Sequence, residues 1–398
     1  MKYEFSHIFR RNQGSPQTAP THEGEILFLF IGGIHQLLHL APVAAAMARQ
    51  YPDARINCLY RDDETGEMLQ EIRRSKSAWS MQITACPPPG WSTNLGRWLR
   101  RPAIEKLPLL YKIARKHRAA QAVVVPERTS TRLRKMGMVD ARLIHFRHGA
   151  GDRAPRSESR LSTFDLIVVP GQKDIDRAVT QHGVDHTRLR QCGYVKLDYL
   201  SKAAQRGHHR LFPDQRPVVL YNPHFDPKIS SWHDARQVIE IFSRQDRYNL
   251  IVAPHIRISE RLSAQQIATW NALSVPGRII VDLHSRKMVD MSYVLASDIY
   301  LGDVSSQLYE FLYQPRPVAF LNSHLVNWVD NPRYAGWHLG SVADHVDDIL
   351  VAIDEAVRNH ARKSMDQIAA VENAFGEWSD ATMRGAKIVG NYLGLRST

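Results

Sequence analysis

Short apolar runs alternating with helix-patterned segments set the tightest limit on what this chain can fold into. Glu25 to Ile31 is apolar and ends in Gly32-Gly33, Leu37 to Tyr51 shows helical spacing with alanine filling, and Ala54 to Tyr60 is apolar again. Strand, glycine turn, helix and strand make one βαβ unit, the start of a Rossmann-like domain. The rhythm continues through strands expected at Met81–Ala85, Ala120–Val125, Ala141–Phe146, Phe164–Val169 and Gln191–Val195. A stretch rich in His, Arg and Pro, Arg206 to Pro217, reads as a linker, and the pattern restarts. Strands are then expected at Pro217–Tyr221, Tyr248–Ala253, Arg278–Leu283, Asp298–Leu301 and Val318–Leu321. Helices are expected at Gln307–Tyr313, Val346–Arg358 and Ser364–Ala374, and a terminal helix from Phe375 to Leu395 reaches back across the first half. The expected division is a loose arm over 1–24, an N-terminal domain over 25–205, a linker over 206–216, a C-terminal domain over 217–374 and the closing segment 375–398. The fold class is α/β, with two doubly wound Rossmann-like domains.

Composition excludes several alternatives. Hydrophobic residues at 43% and charged residues at 23% suit a soluble globular protein, and 398 residues suit two domains. Cys58, Cys86 and Cys192 match neither zinc nor disulfide spacing, which favours a reducing cytoplasm. The most apolar run, Ile26 to Met47, carries His35, Gln36, His39 and Pro42, so it reads as strand and helix rather than a membrane span. The first 24 residues lack a signal-peptide layout.

The net charge of +12 is concentrated. Between Arg97 and Lys135 stand twelve Lys and Arg against two acids, Glu105 and Glu127. Trp91, Trp98, Leu107, Leu110 and Tyr111 are interleaved with the first of these cations. Apolar side chains to insert and cations to meet headgroups are what an anionic membrane surface selects. A solvated basic helix packed by its apolar side has the same pattern. Nucleic acid is the lesser alternative, since no recognised module surrounds the stretch.

Several strands end in groups suited to phosphate chemistry: Arg147-His148-Gly149, Asn222-Pro223-His224, His255 with Arg257, and Asp303 with Ser305-Ser306. In doubly wound sheets the carboxyl ends of parallel strands face one crevice, so these residues converge if the two halves face each other. A helix start after Asp303 offers unpaired N–H groups and hydroxyls to a phosphate, though Asp303 or Ser305 also suits a plain N-cap. Asp62-Asp63-Glu64 reads as a solvated turn rather than a metal site, and His208-His209 has no metal spacing. Gly32-Gly33 lacks the full dinucleotide fingerprint.

The run from Asp290 to Leu321, DMSYVLASDIYLGDVSSQLYEFLYQPRPVAFL, resembles the C-terminal signature of the CDP-glycerol glycerophosphotransferase family, whose members make teichoic-acid and capsule-like polymers. TFDLIVVPGQKD, CGYVKLDYL, RHGAGDR, APHIR and ENAFGEWSDATMRGAKIVGNYL are similar to further segments of that family. The resemblance implies a GT-B architecture, with the donor nucleotide held mainly by the C-terminal domain. It implies His148 as general base on the acceptor hydroxyl, with Arg147, Gly149 and Gly33 on the acceptor side. It implies that His255, a second catalytic histidine, and Arg257 hold the donor pyrophosphate. Ser305 and Ser306 would stabilise the departing CMP, Glu310 would accept ribose hydroxyls, and Asn222, His224 and Asp303 would border the donor. The partners implied are a CDP-linked donor, as substrate rather than cofactor, and a polymer or lipid-linked acceptor; no metal ligand set is apparent. The implied location is the inner face of a bacterial cell membrane, with residues 97–135 on the anionic surface. One departure stands out: Pro223-His224-Phe225-Asp226 replaces the family's Thr-Trp-Arg-like run, so the transferred group is open. His39-Leu40-Ala41-Pro42-Val43 looks like the first helix of UDP-N-acetylglucosamine 2-epimerases, which keeps a sugar-nucleotide enzyme as the alternative. A non-catalytic polyanion- or membrane-binding protein is the third reading.

Overall fold

Ile26, Phe28 and Phe30 point to one side of the first strand and Leu27, Leu29 and Ile31 to the other, and both rows are buried. A strand without a wet face requires helices on both sides, which is the arrangement of parallel α/β sheets. The computed structural model describes residues 24–93, 103–149, 151–152, 160–204 and 211–397. The N-terminal arm up to residue 23, the cations Arg97, Arg100 and Arg101 with Trp98, and His208-His209 lie outside the described residues.

Among the described residues seven strands form the first sheet: β1 Ile26–Phe30, β2 Ile56–Tyr60, β3 Gln82–Ala85, β4 Ala122–Val125, β5 Arg142–Phe146, β6 Leu166–Val169 and β7 Leu189–Gln191. Their order is β3-β2-β1-β4-β5-β6-β7, every pair parallel. Six more form the second: β8 Val218–Asn222, β9 Asn249–Val252, β10 Ile279–Val281, β11 Ile299–Gly302, β12 Val318–Leu321 and β13 Ser341–Ala343. Their order is β10-β9-β8-β11-β12-β13, again all parallel. Strand order reverses between β1 and β4 in one sheet and between β8 and β11 in the other. Those two switch points are where ligand crevices open in such sheets. A single apolar cluster joins the halves, running from Phe146 and Tyr194 through Phe375 to Tyr300, Phe311 and Phe320.

Four local expectations change. The strand expected to run to Val195 ends at Gln191, because Gly193 (φ 89°) turns the chain into the helix Val195–Ala204. The helix after Ser306 spans only Gln307–Phe311. The two helices expected after Val346 are one, Ile349–Phe375, because the polar run Asn359 to Lys363 contains no breaker and faces outward. The closing helix therefore starts later, at Ala381, and runs to Leu393. It packs on the helices Ala41–Gln50 and Val195–Ala204 of the first half. Glycine permits that approach: a Cβ on Gly390 would lie 2.2 Å from the Tyr51 ring. Asp62, read as a turn residue, caps the helix Asp63–Ser75 by accepting from the Thr65 N–H. Among the described residues no helix is long and apolar enough to cross a membrane.

Candidate active site

The carboxyl ends of β1, β4, β5, β8, β9 and β11 open on one cavity of about 560 Å³ between the two sheets. Among the described residues six cations line it (Lys106, Arg128, Arg147, Arg160, Lys196 and Arg257) against three acids, Glu127, Asp152 and Glu310. Six histidines line it as well: His35, His39, His145, His148, His224 and His255. An anionic ligand fits this excess of positive charge. Among the described residues no group of three or more His, Cys, Asp or Glu is arranged to hold a metal ion.

His148 follows the last residues of β5. Its Nδ1 lies 2.6 Å from the Pro126 carbonyl, which only accepts, so the ring carries its proton on Nδ1. Nε2 is left as an acceptor, and Gln36 Nε2 donates to it at 3.2 Å. Burial, followed among the lowering influences by the charges of Arg147 and Arg128, pushes this imidazole down to about 4, against the opposing carbonyl bond. It is a neutral base at ordinary pH. The loop after it touches the other domain: a Cβ on Gly149 (φ 72°) would lie 3.2 Å from Ser306 Oγ, and one on Gly151 3.3 Å from Ser306 Cα. The positive φ of Gly149 favours glycine, and a side chain at either position would press against the Ser306 turn.

The C-terminal histidines have the opposite tautomer. His255 Nδ1 accepts the N–H of Arg257 at 3.2 Å, and His224 Nδ1 accepts that of Asp226 at 3.0 Å. Each ring therefore holds its proton on Nε2 as a donor. Burial, then the neighbouring His35, holds His255 well below the usual histidine range. Phe225 lies among these groups, its centroid 4.3 Å from the His224 ring, 4.8 Å from the His255 ring and 4.1 Å from the Arg257 guanidinium. The unusual Pro223–Asp226 run thus builds a stacked wall of the cleft.

Ser305 and Ser306 line the cavity; Ser305 Oγ accepts the Gln307 N–H at 3.2 Å, and Ser306 occupies the N-cap position without a side-chain cap bond. The N-cap expected at Asp303 or Ser305 therefore falls on Ser306 instead, although Ser305 still takes a first-turn N–H, and one helical turn offers little dipole. Three expected donor residues have other employment. Asp303 lies behind the wall, accepting from His224 N at 2.9 Å, Ser231 N at 2.8 Å and Ser231 Oγ at 3.1 Å, with burial pushing its carboxyl up to about 7. Asn222 is buried and donates to the Ala253 carbonyl. Glu310 reaches the cleft, yet its two oxygens take Tyr194 OH at 2.6 Å and Lys196 Nζ at 2.7 Å from the first half, so it ties the domains instead of standing open to a ribose. A second tie is Asp152, which accepts Tyr309 OH at 2.7 Å and Gly336 N at 2.9 Å. Arg147 lines the cleft and pairs with Asp174 at 2.7 Å. Gly33 (φ 117°) shapes the turn before His35, 3.0 Å from that ring if it bore a Cβ.

The sequence reading missed His35 and Gln36 as site residues. His35 stands between the two named histidines, 6.1 Å from His148 and 5.9 Å from His255, and burial pushes it down to about 3. Their position just beyond the glycine turn of β1, at a switch point, was the available signal.

The sequence model of the CDP-glycerol:poly(glycerophosphate) glycerophosphotransferase family matches residues 112–390. The chain belongs to that family. As a glycerophosphotransferase-like enzyme it also has structural relatives. The wall teichoic acid polymerase TagF superposes with a TM-score of 0.59 at 15% identity, over 94% of this chain and 88% of that one. The S. aureus MnaA–UDP structure gives 0.62 at 13% identity, over 94% and 98%. The UDP-GlcNAc 2-epimerase from Neisseria meningitidis gives 0.54 at 10%, over 94% and 100%. These likenesses establish the GT-B fold expected from the sequence. No curated protein matches the chain.

Proposed function

We propose that this glycerophosphotransferase moves a phospho-polyol from a CDP-linked donor to a hydroxyl of a polymer or lipid-linked acceptor, releasing CMP, in teichoic-acid-like synthesis. The observation that carries the reading is the pairing of opposite tautomers across one cationic cleft. His148 offers a lone pair on Nε2, and His255 offers an N–H beside Arg257. In the reaction the acceptor oxygen attacks the phosphorus bearing the polyol, and its proton passes to His148 Nε2. The bond from that phosphorus to the bridging oxygen breaks, and CMP leaves with the electron pair. His255 Nε2–H, Arg257 and the Ser305-Ser306 hydroxyls meet the charge on the diphosphate.

Burial, with the Arg147 and Arg128 charges adding to it, keeps His148 neutral at ordinary pH, so its Nε2 lone pair is free to take a proton without prior deprotonation. The test is incubation with CDP-glycerol and CDP-ribitol plus a lipid-linked acceptor. CMP release with transfer supports the reading; selective binding of UDP with no CMP release overturns it.

The acceptor's location is part of the same proposal. Trp91 (62% exposed) and Tyr111 (59%) border an apolar groove with Leu107, flanked by Lys112, Arg115 and Lys116. Apolar side chains edged by cations suit the inner face of an anionic membrane, each cation adding roughly 1 kcal/mol. Sedimentation with phosphatidylglycerol vesicles, weakened by Tyr111→Ser and absent with phosphatidylcholine, checks it.

A further inference from the structure

Gln36 holds the atom that must receive the acceptor's proton. Its Nε2 donates to His148 Nε2 at 3.2 Å, while its Oε1 is buried and has no hydrogen-bond partner among the described residues. The residue is only 8% exposed and lines the cleft. Gly32 makes room for it: a Cβ there would sit 1.9 Å from Gln36 Oε1 and 2.7 Å from its carbonyl carbon. The orientation of the amide follows from the imidazole. With Nδ1–H committed to the Pro126 carbonyl, His148 Nε2 can only accept, so the amide must present its NH₂ and turn its oxygen away.

An acceptor hydroxyl that donates to His148 Nε2 takes the place of this amide. That leaves Gln36 with a released donor and an already unpaired acceptor in a buried position, at a cost comparable to one or two lost hydrogen bonds. A single hydroxyl, spent on His148, cannot satisfy both. A second hydroxyl on the neighbouring carbon can, accepting from Nε2–H and donating to Oε1.

We infer that Gln36 is a specificity-determining residue that reads a vicinal diol at the acceptor terminus, with one hydroxyl on His148 and its neighbour on the Gln36 amide. The inference rests on the transferase reading above. It assigns the acceptor end a chemical class: a 1,2-diol, as at the free end of a glycerol phosphate unit, in preference to an isolated primary alcohol.

Two probes test it with CDP-glycerol as donor: an alkyl ester of glycerol 3-phosphate, ending in a 1,2-diol, and the 3-hydroxypropyl phosphate ester that lacks the second hydroxyl. The wild-type protein is expected to favour the diol by about tenfold in kcat/KM, the worth of one satisfied hydrogen bond. Gln36→Met is expected to reduce that preference to near unity through its acceptor KM, leaving the donor KM unchanged. Gly32→Ala, which displaces the amide without removing it, is expected to lower the preference likewise. Equal use of both probes by the wild type, or an undiminished preference in Gln36→Met, overturns the inference. Should Gln36→Met fail to fold, the wild-type ratio and Gly32→Ala decide it. Absence of CMP release with every CDP-linked donor and either probe defeats the underlying transferase reading instead, a distinguishable result.

Discussion

The two halves of the cleft use the same residue type in opposite ways. In the N-terminal half, His148 donates its Nδ1–H to a carbonyl and keeps a lone pair on Nε2. In the C-terminal half, His224 and His255 receive backbone N–H groups on Nδ1 and keep Nε2–H as a donor. The difference lies in the main chain beneath each ring. Pro126, on the loop after β4, turns a carbonyl towards His148. The tight turns after β8 and β9 fold the N–H two residues onward back onto the histidine. Local backbone direction thus leaves a lone pair on one side of the cleft and N–H groups on the other, the difference on which the proposed roles rest.

The largest expected effect tests that division directly. His148→Ala should lower kcat about 10³-fold while leaving the Kd for CDP-glycerol within a few-fold, and His148→Asn should do no better, since an amide cannot take the proton. Steady-state CMP release and calorimetric donor binding read the two quantities. His255→Ala should cost about 10²-fold and weaken donor binding, and here His255→Asn should recover part of the loss, because its NH₂ still donates. Rescue at 148 and none at 255 would invert the assignment.

Next comes pH. An unfolded histidine near 6.5 and a folded His148 near 4 mean that the unfolded chain binds more protons between those values. Stability should therefore be full above pH 6.5 and fall as pH drops towards 4, with His148 contributing roughly 1–3 kcal/mol. His148→Gln should flatten the slope of Tm against pH between 7 and 4.5; an unchanged slope would show a solvated, ordinary imidazole. Phe225→Leu should have the smallest effect. Loss of the stack under Arg257 is worth about 0.5–1 kcal/mol, a few-fold in donor KM with kcat nearly unchanged.

Strand ends were legible in the sequence because parallel strands buried on both faces are continuous apolar runs, and whatever polar residue follows them must face the crevice. That logic found His148, His224, His255 and Ser305-Ser306. It could not show that Glu310 is committed to Tyr194 and Lys196, more than a hundred residues earlier, because a carboxylate's partner across a cleft leaves no local mark. Nor could it separate Asp303, which holds the His224 loop from behind, from a residue on the cleft wall. Helix continuity through Asn359–Lys363 was misread for a simpler reason: polarity interrupts an apolar stripe without interrupting a helix.

The helix Ala381–Leu393 lies on Ala41–Gln50, so the first and the last α-helices among the described residues share a face. During synthesis the first sheet can pair its strands early, but the faces of Ala41–Gln50 and Val195–Ala204 that this helix covers stay wet until residues 381–393 have left the ribosome. The N-terminal half therefore completes its packing only after the C-terminal half has been made.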